Sequence, residues 1–271
     1  MILVTGGTGT LGRAILSLIV HSAVVISRDE EKQRVCADEF PRHAFCLCDV
    51  RDADALDAVF ARFRPNAVIH LAALKQCPMG ETNVMEHVKT NILGSENVVR
   101  ACQRYGVSRA VLVSTDKACE PVSVYGASKL IAERLFTSAG YSVVRAGNII
   151  GSRGSIASVL DEHDGPVPVT DPRMTRFYIS RDRLAQFVFD VLFMSTGGLV
   201  HVPKMRSERL SDTVAGRECY IVGRRAGEKL HESAISRDEA SSEWVGGGYV
   251  VGGDEIGEPY RWVAYTSGGG E

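Results

Sequence analysis

Residues 5–12 read TGGTGTLG and stand between an apolar run at 2–4 and a stretch of helical periodicity at 11–19. Gly6, Gly9 and Gly12 allow a sharp turn from strand to helix. They also let backbone N–H groups approach a pyrophosphate at the helix N-terminus, where the helix dipole favours an anion. Thr8, Thr10 and Leu11 complete the same turn. A glycine-rich turn alone is a weak signal. Its place directly after a first strand, opening a βαβ unit, makes it a nucleotide-binding turn.

Outward from this turn, β-branched runs at 2–4, 23–27, 44–48, 67–71, 110–113 and 142–144 alternate with helix-like stretches at 11–19, 53–63, 85–105 and 125–139. That rhythm predicts an α/β fold, a Rossmann-like doubly wound parallel sheet over residues 1–147. Beyond Arg145, glycines and prolines in GNIIGSRGS and DGPVPVTDPRM break the rhythm, so 148–178 and 201–271 are expected to form a smaller α+β substrate-binding subdomain. Leu184, Phe187, Val188, Val191 and Leu192 lie at helical spacing, which predicts a helix over 180–195 and packs 179–200 back on the first domain. The glycine-rich tail, 246–271, shows no helix and ends TSGGGE, so its end is expected to be loose.

Composition removes several classes of function. The chain has 271 residues, 45% apolar and 24% charged, enough for a full core. Its formal charge of −2 and the lack of a long basic run point away from nucleic acid and towards small-molecule partners. Cys36, Cys46, Cys48, Cys77, Cys102, Cys119 and Cys219 form no CxxC pairs and have no histidine at metal spacing, so they read as reduced thiols with no metal site. The sequence starts directly in an apparent strand without a basic leader, and no apolar run approaches about 18 residues. A soluble cytoplasmic protein with no membrane partner is expected.

The end of the second strand selects the dinucleotide, because an acidic residue there pairs with the ribose 2′-hydroxyl whereas arginine accommodates a 2′-phosphate. Here the residues are SRDEEKQ, with Arg28 first after the strand and Lys32 four residues on, both able to reach a phosphate. NADP is the reading; NAD, which Asp29, Glu30 and Glu31 would suit, is the less favoured. Asp49, followed by Val50 in CDVRD, is placed to meet the adenine, the ordinary alternative being a cap on the next helix.

A second stretch, 114–129, reads STDKACEPVSVYGASK. Tyr125 and Lys129 are one helical turn apart, and an ammonium beside a phenol favours the phenolate, which makes Tyr125 a candidate base. Asp116 and Lys117 could be a surface pair, but they follow a strand, and ligands bind at the C-terminal ends of strands in open α/β sheets.

These segments resemble the extended short-chain dehydrogenase/reductase superfamily, whose style the GxxGxxG spacing follows. Within it they resemble the inverting UDP-N-acetylglucosamine 4,6-dehydratases and their capsule-biosynthesis relatives. TGGTGTLG, SRDEEKQ, CDVRD, HLAALKQCP, KTNILGSENV, STDKA, YGASK, VVRAGNIIGSRGS, TDPRMTRF and RAGEKLHE occur in the family's order, from Ile2 to about His231. The lysine of Thr-Asp-Lys and the TDPRMTRF segment narrow the choice. The resemblance implies that Tyr125 takes the sugar 4-hydroxyl proton while hydride leaves carbon 4 for the nicotinamide. Lys117 then removes the carbon 5 proton, Asp116 protonates the departing 6-hydroxyl, and hydride returns to carbon 6. Thr115 would bond the 4-oxygen, and Lys129 would hold the ribose and lower the Tyr125 pKa. Leu71, Ala72, Ala73, Lys75, Thr90 and Asn91 would lie near the dinucleotide, with Lys75 also near the substrate. Asn148, Arg153, Thr170, Met174, Thr175, Arg176, Arg225 and Glu228 would meet the UDP-sugar, arginine being suited to a diphosphate. His70 and His201 read as structural.

The sequence departs from the family's pattern at Ala226, where proline is usual, and is shorter at 137–141 and at the C-terminus. A homo-oligomer is expected. The rival readings are a UDP-sugar 4-epimerase, which would share the tyrosine, lysine and dinucleotide, and a non-catalytic NADP-sensing regulator, which would need neither Asp116 nor Lys117.

Overall fold

The apolar runs become strands β1 (Ile2–Thr5), β2 (Ala23–Ser27), β3 (Ala44–Leu47), β4 (Ala67–His70), β5 (Arg109–Thr115) and β6 (Ser142–Ala146) in a computed structural model that describes residues 1–152, 165–214, 216–239, 241–244 and 247–251. Later strands are β7 (Asn148–Ile150), β8 (Val167–Val169), β9 (Thr175–Ser180), β10 (Val200–Pro203), β11 (Arg206–Arg209), β12 (Cys219–Ile221), β13 (Ser241–Trp244) and β14 (Gly248–Val251). The large sheet runs β13-β14-β10-β6-β5-β4-β1-β2-β3, parallel from β10 to β3. Strand order reverses between β1 and β4, and this reversal opens a crevice at the C-terminal strand ends.

Side-chain alternation divides the core into two layers. Leu3, Val24, Ile26 and Leu112 face one side, against α3 (Ala53–Phe63), α6 (Gly94–Arg104) and α7 (Val124–Ser138). Val4, Val25, Ile69 and Val111 face the other, against α1 (Thr10–Leu18) and α8 (Arg181–Met194). Each fully buried aliphatic side chain contributes roughly 1.5–3 kcal/mol. The helix expected at 180–195 packs on α1 and on β5 and β6, and the Ser180 hydroxyl caps it by accepting from Arg183 N (3.3 Å). All seven cysteines are free thiols. Among the described residues no helix is long and apolar enough to cross a membrane.

Two expectations are corrected. Residues 30–39 form a helix, α2 (Glu30–Glu39), that hydrophobic periodicity does not show. Only Gln33 and Cys36 of it are buried, and the Asp29 side chain caps it by accepting from Lys32 N. The division at residue 200 also fails, because β10 pairs parallel with β6, and β14 and β13 continue the same sheet antiparallel. A carboxy-terminal segment that closes the open edge of β10 satisfies that strand's backbone groups. Part of the glycine-rich tail is therefore sheet; residues 252–271 lie outside the described residues. The smaller module consists of β11-β9-β7 and the pair β12-β8.

Candidate active site

One cleft of about 960 Å³ runs along the C-terminal strand ends. Gly6, Thr8, Gly9, Thr10, Leu11 and Gly12 form one end of it, with Arg28, Asp29, Lys32, Asp49 and Val50 beside them. Leu71, Ala72, Ala73, Lys75 and Thr90 line its middle, and Thr115, Lys117, Tyr125 and Lys129 line its far wall. Asn148, Thr170, Met174, Arg176, Arg225 and Glu228 close it from the smaller module.

At the glycine end the geometry leaves no room for side chains. Gly6 has φ +65°, and a Cβ there would meet Ala72 N at 2.8 Å; at Gly12 it would meet Gly7 O at 2.2 Å. Gly7, which the motif reading passed over, is equally confined: a Cβ there would meet Val25 Cγ1 at 2.8 Å. Gly9 starts α1 without a side-chain cap, so first-turn N–H groups are open to a ligand. Thr5 Oγ1 accepts from Leu71 N (3.1 Å) and Ala72 N (3.2 Å), leaving its proton for His70 Nδ1 (2.6 Å), while His70 Nε2 faces Ser95 Oγ (3.0 Å). Burial, aided by the Lys129 charge, brings His70 down to about 3, so the ring is a neutral strut. Asn91 clamps Leu74 through both backbone groups (2.8 and 2.9 Å) and donates to Ser128 Oγ (2.9 Å). It lies in a π-helical turn, Val88–Leu93, and the adjacent Thr90 hydroxyl is buried without a hydrogen-bond partner in that turn. Open helix amides and an orphaned hydroxyl beside them are what a bound dinucleotide would satisfy.

The charged residues here pair with one another. Lys32 Nζ is bonded to Asp29, and Arg28 lies 3.8 Å from Asp49 Oδ2. Asp49 is gripped by Arg51 through Nε (2.9 Å) and N (3.0 Å). Burial would raise its pKa, but these contacts hold it below the usual carboxylate range.

At the far end, α7 carries Tyr125, Lys129 and Glu133 at four-residue steps on one face. Lys129 Nζ donates to Val113 O (2.8 Å), and burial brings it down to about 8 against the pull of Glu133. Tyr125 is pushed up to about 12 by burial; the opposing cation is Lys117, helped by a Thr115 hydrogen bond. The expectation that Lys129 makes Tyr125 acidic is corrected: its ammonium is turned to the β5 carbonyl.

Asp116 and Lys117 follow β5 in a single 3₁₀ turn, where Thr115 Oγ1 donates to Asp116 Oδ1 (3.0 Å) and accepts from Lys117 N (3.3 Å). Asp116 is 0% exposed, does not line the cleft, and its Oδ2 is buried without a hydrogen-bond partner. Lys117 Nζ lies 3.0 Å from Asp116 Oδ1 and 3.5 Å from Glu232 Oε1. Burial would lower its pKa, but the two carboxylates outweigh burial and Arg176 and hold it above the usual ammonium range. Lys117 at rest is thus a cation. Thr175 is also displaced: its hydroxyl meets His231 Nδ1 (2.8 Å), away from the cleft wall. Arg176 donates to the carbonyls of Lys229 (3.0 Å) and Leu230 (3.1 Å), and Arg225 N is bonded to Glu228 (2.9 Å). Arg153 lies outside the described residues.

Behind this wall Arg145, 1% exposed, reaches Glu133 (2.8 Å) and Glu239 (2.8 Å). Neither this cluster nor Glu232 was anticipated, because no spacing signal links residues so far apart in the sequence.

A family profile described as "Polysaccharide biosynthesis protein" matches residues 2–251. The chain belongs to that family. Within the wider superfamily it is 39% identical over 263 residues to a UDP-N-acetylglucosamine 4,6-dehydratase (inverting) of Campylobacter jejuni, covering 88% of this chain and 78% of the relative. It is 33% identical over 282 residues to a UDP-glucose 4-epimerase of Rickettsia felis, covering 92% and 82%. Among solved structures, Pen from Bacillus thuringiensis superposes with a TM-score of 0.89 at 29% identity, over 98% of this chain and 92% of that one. The family assignment and the Rossmann-like fold expected from the motifs both hold.

Proposed function

We propose that this protein is an NADP-dependent UDP-N-acetylglucosamine 4,6-dehydratase that inverts carbon 5 and serves surface-glycan synthesis in the cytoplasm. The carrying observation is Lys117, set on the wall shared with Tyr125 and backed by Asp116 at 3.0 Å. Similarity to the Campylobacter enzyme supports the substrate. Arg28, directly after β2, and Lys32, in the first turn of α2, both line the cleft and support NADP over NAD.

A bound nicotinamide would supply the hydride acceptor for carbon 4 and the donor for carbon 6; a solvent proton reaching carbon 5 from the face opposite Lys117 would then complete the reduction and invert that centre. Tyr125, once its own proton has passed to solvent and its phenolate stands opposite the Lys117 cation, removes the 4-hydroxyl proton, with Thr115 beside the 4-oxygen. The ketone so formed acidifies carbon 5. Proton transfer along the 3.0 Å contact turns the Lys117–Asp116 ion pair into an amine and a carboxylic acid. Lys117 then takes the carbon 5 proton, while Asp116 acts through the Thr115 hydroxyl bonded to it (3.0 Å) to protonate the departing 6-hydroxyl as water. A sugar bound against the partly exposed Lys117 favours the neutral pair, since the ammonium loses its remaining solvation there.

Incubation with UDP-N-acetylglucosamine in deuterated water, followed by mass spectrometry and NMR, tests this. Loss of one water with deuterium at carbon 5 is expected. A product of unchanged composition inverted at carbon 4 would instead establish the 4-epimerase reading, which similarity to the Rickettsia relative supports.

A further inference from the structure

Glu232 closes the RAGEKLHE segment, yet it does not line the cleft and the proposed reaction gives it no role. It is 2% exposed and its Oε1 stands 3.5 Å from Lys117 Nζ, on the side away from the cleft. Its other oxygen lies 3.9 Å from Lys229 Nζ, and that ammonium donates to Cys119 O (2.6 Å), fixing the segment that carries Glu232 to the turn after Lys117. The groups facing Lys117 are Asp116 beside it in sequence, Glu232 from the carboxy-terminal segment, Arg176 from β9, Tyr125 from α7 and Cys77 from α4 (Cys77–Thr82). Two are carboxylates, and Asp116 is linked to the cleft through Thr115. We infer that Glu232 is a positioning residue for the elimination: from behind, it holds the Lys117 ammonium between two carboxylates and thereby governs when its proton passes to Asp116. This rests on the dehydratase reading for its catalytic meaning, though not for its geometry.

The arrangement has a direct chemical consequence. The pair works only while it holds one proton between Asp116 and Lys117, and the negative charge of Glu232 keeps that proton from being lost to solvent as pH rises. Glu232→Gln keeps the shape and removes the charge; burial and Arg176 then act on Lys117 with one carboxylate fewer opposing them.

The test follows acetylation of Lys117 in the purified holoenzyme between pH 7 and 10 by peptide mass spectrometry, with exposed Lys89 as internal reference. In Glu232→Gln the Lys117 amine should be acetylated about tenfold faster at a given pH, as a fall of about one pH unit in its titration requires. Glu232→Asp should return most of the wild-type rate. Because the labelling needs no sugar nucleotide, faster Lys117 acetylation in Glu232→Gln together with a wild-type protein that dehydrates nothing would sustain the role of Glu232 and sink the dehydratase reading alone. An unchanged Lys117 titration in folded Glu232→Gln overturns the inference, as does an equal rise at Lys89, which would signal general loosening. Should Glu232→Gln fail to fold, Glu232→Ala, which also removes the charge, carries the same measurement with the same expected rise, and no rise there overturns it.

Discussion

At the Gly6–Gly12 end of the cleft the ligand-facing groups are backbone amides held in place by missing side chains. At the Lys117–Glu232 end they are side chains delivered by separate segments and held by charge. A site made of backbone is specified by a few adjacent residues. A site made of buried charges depends on distant carboxylates, and loss of one partner leaves another stranded without water.

Four experiments can break or sharpen that contrast. The largest effect is expected from Lys117→Ala, which should lower dehydration by roughly 10²–10⁴-fold while the dinucleotide stays bound, as cofactor absorbance in the purified variant would show. Full turnover would remove Lys117 from the chemistry. Arg145→Met strands Glu133 and Glu239 in the interior and should cost about 3–5 kcal/mol in urea unfolding; a loss under about 1 kcal/mol would mean that charge does not hold this end together. Gly12→Ala puts a Cβ against Gly7 O and should cost about 1–3 kcal/mol together with dinucleotide affinity. A neutral result would show that the glycine turn has slack. The subtlest is a pH effect at Lys129. Between about pH 8 and 10.5 the unfolded chain keeps a proton that folded Lys129 has released, so folding stability gains from Lys129 as pH rises through that window. Wild type should therefore gain on Lys129→Met in denaturant titrations from pH 7 to 10, and a flat difference would mean that Lys129 remains charged when folded.

The same contrast explains what could be read from sequence. TGGTGTLG and the alternating strands announce the nucleotide end, since backbone turns and side-chain alternation are local properties. The helix Glu30–Glu39 escaped because it buries only two residues, and β10 and β14 escaped because sheet pairing across distant segments leaves no periodicity of its own. At the chemical end, Tyr125 and Lys129 share a helix face as their spacing predicts, yet Lys129 bonds a β5 carbonyl, an orientation that spacing does not encode. Glu232 and Glu239 are ordinary acidic residues in sequence; only the fold sets one behind Lys117 and the other on Arg145.

The Arg145 cluster also orders events during synthesis. Glu133 leaves the ribosome before Arg145, but Glu239 follows 94 residues later, and β14, which covers the edge of β10, later still. Through that interval the nascent sheet carries an arginine with half its counter-charge and a strand edge open to neighbouring chains. A ribosome stalled before residue 239 therefore holds a product with its dinucleotide turn already made and its reactive wall unsupported, a species for chaperones to shield or proteases to clear.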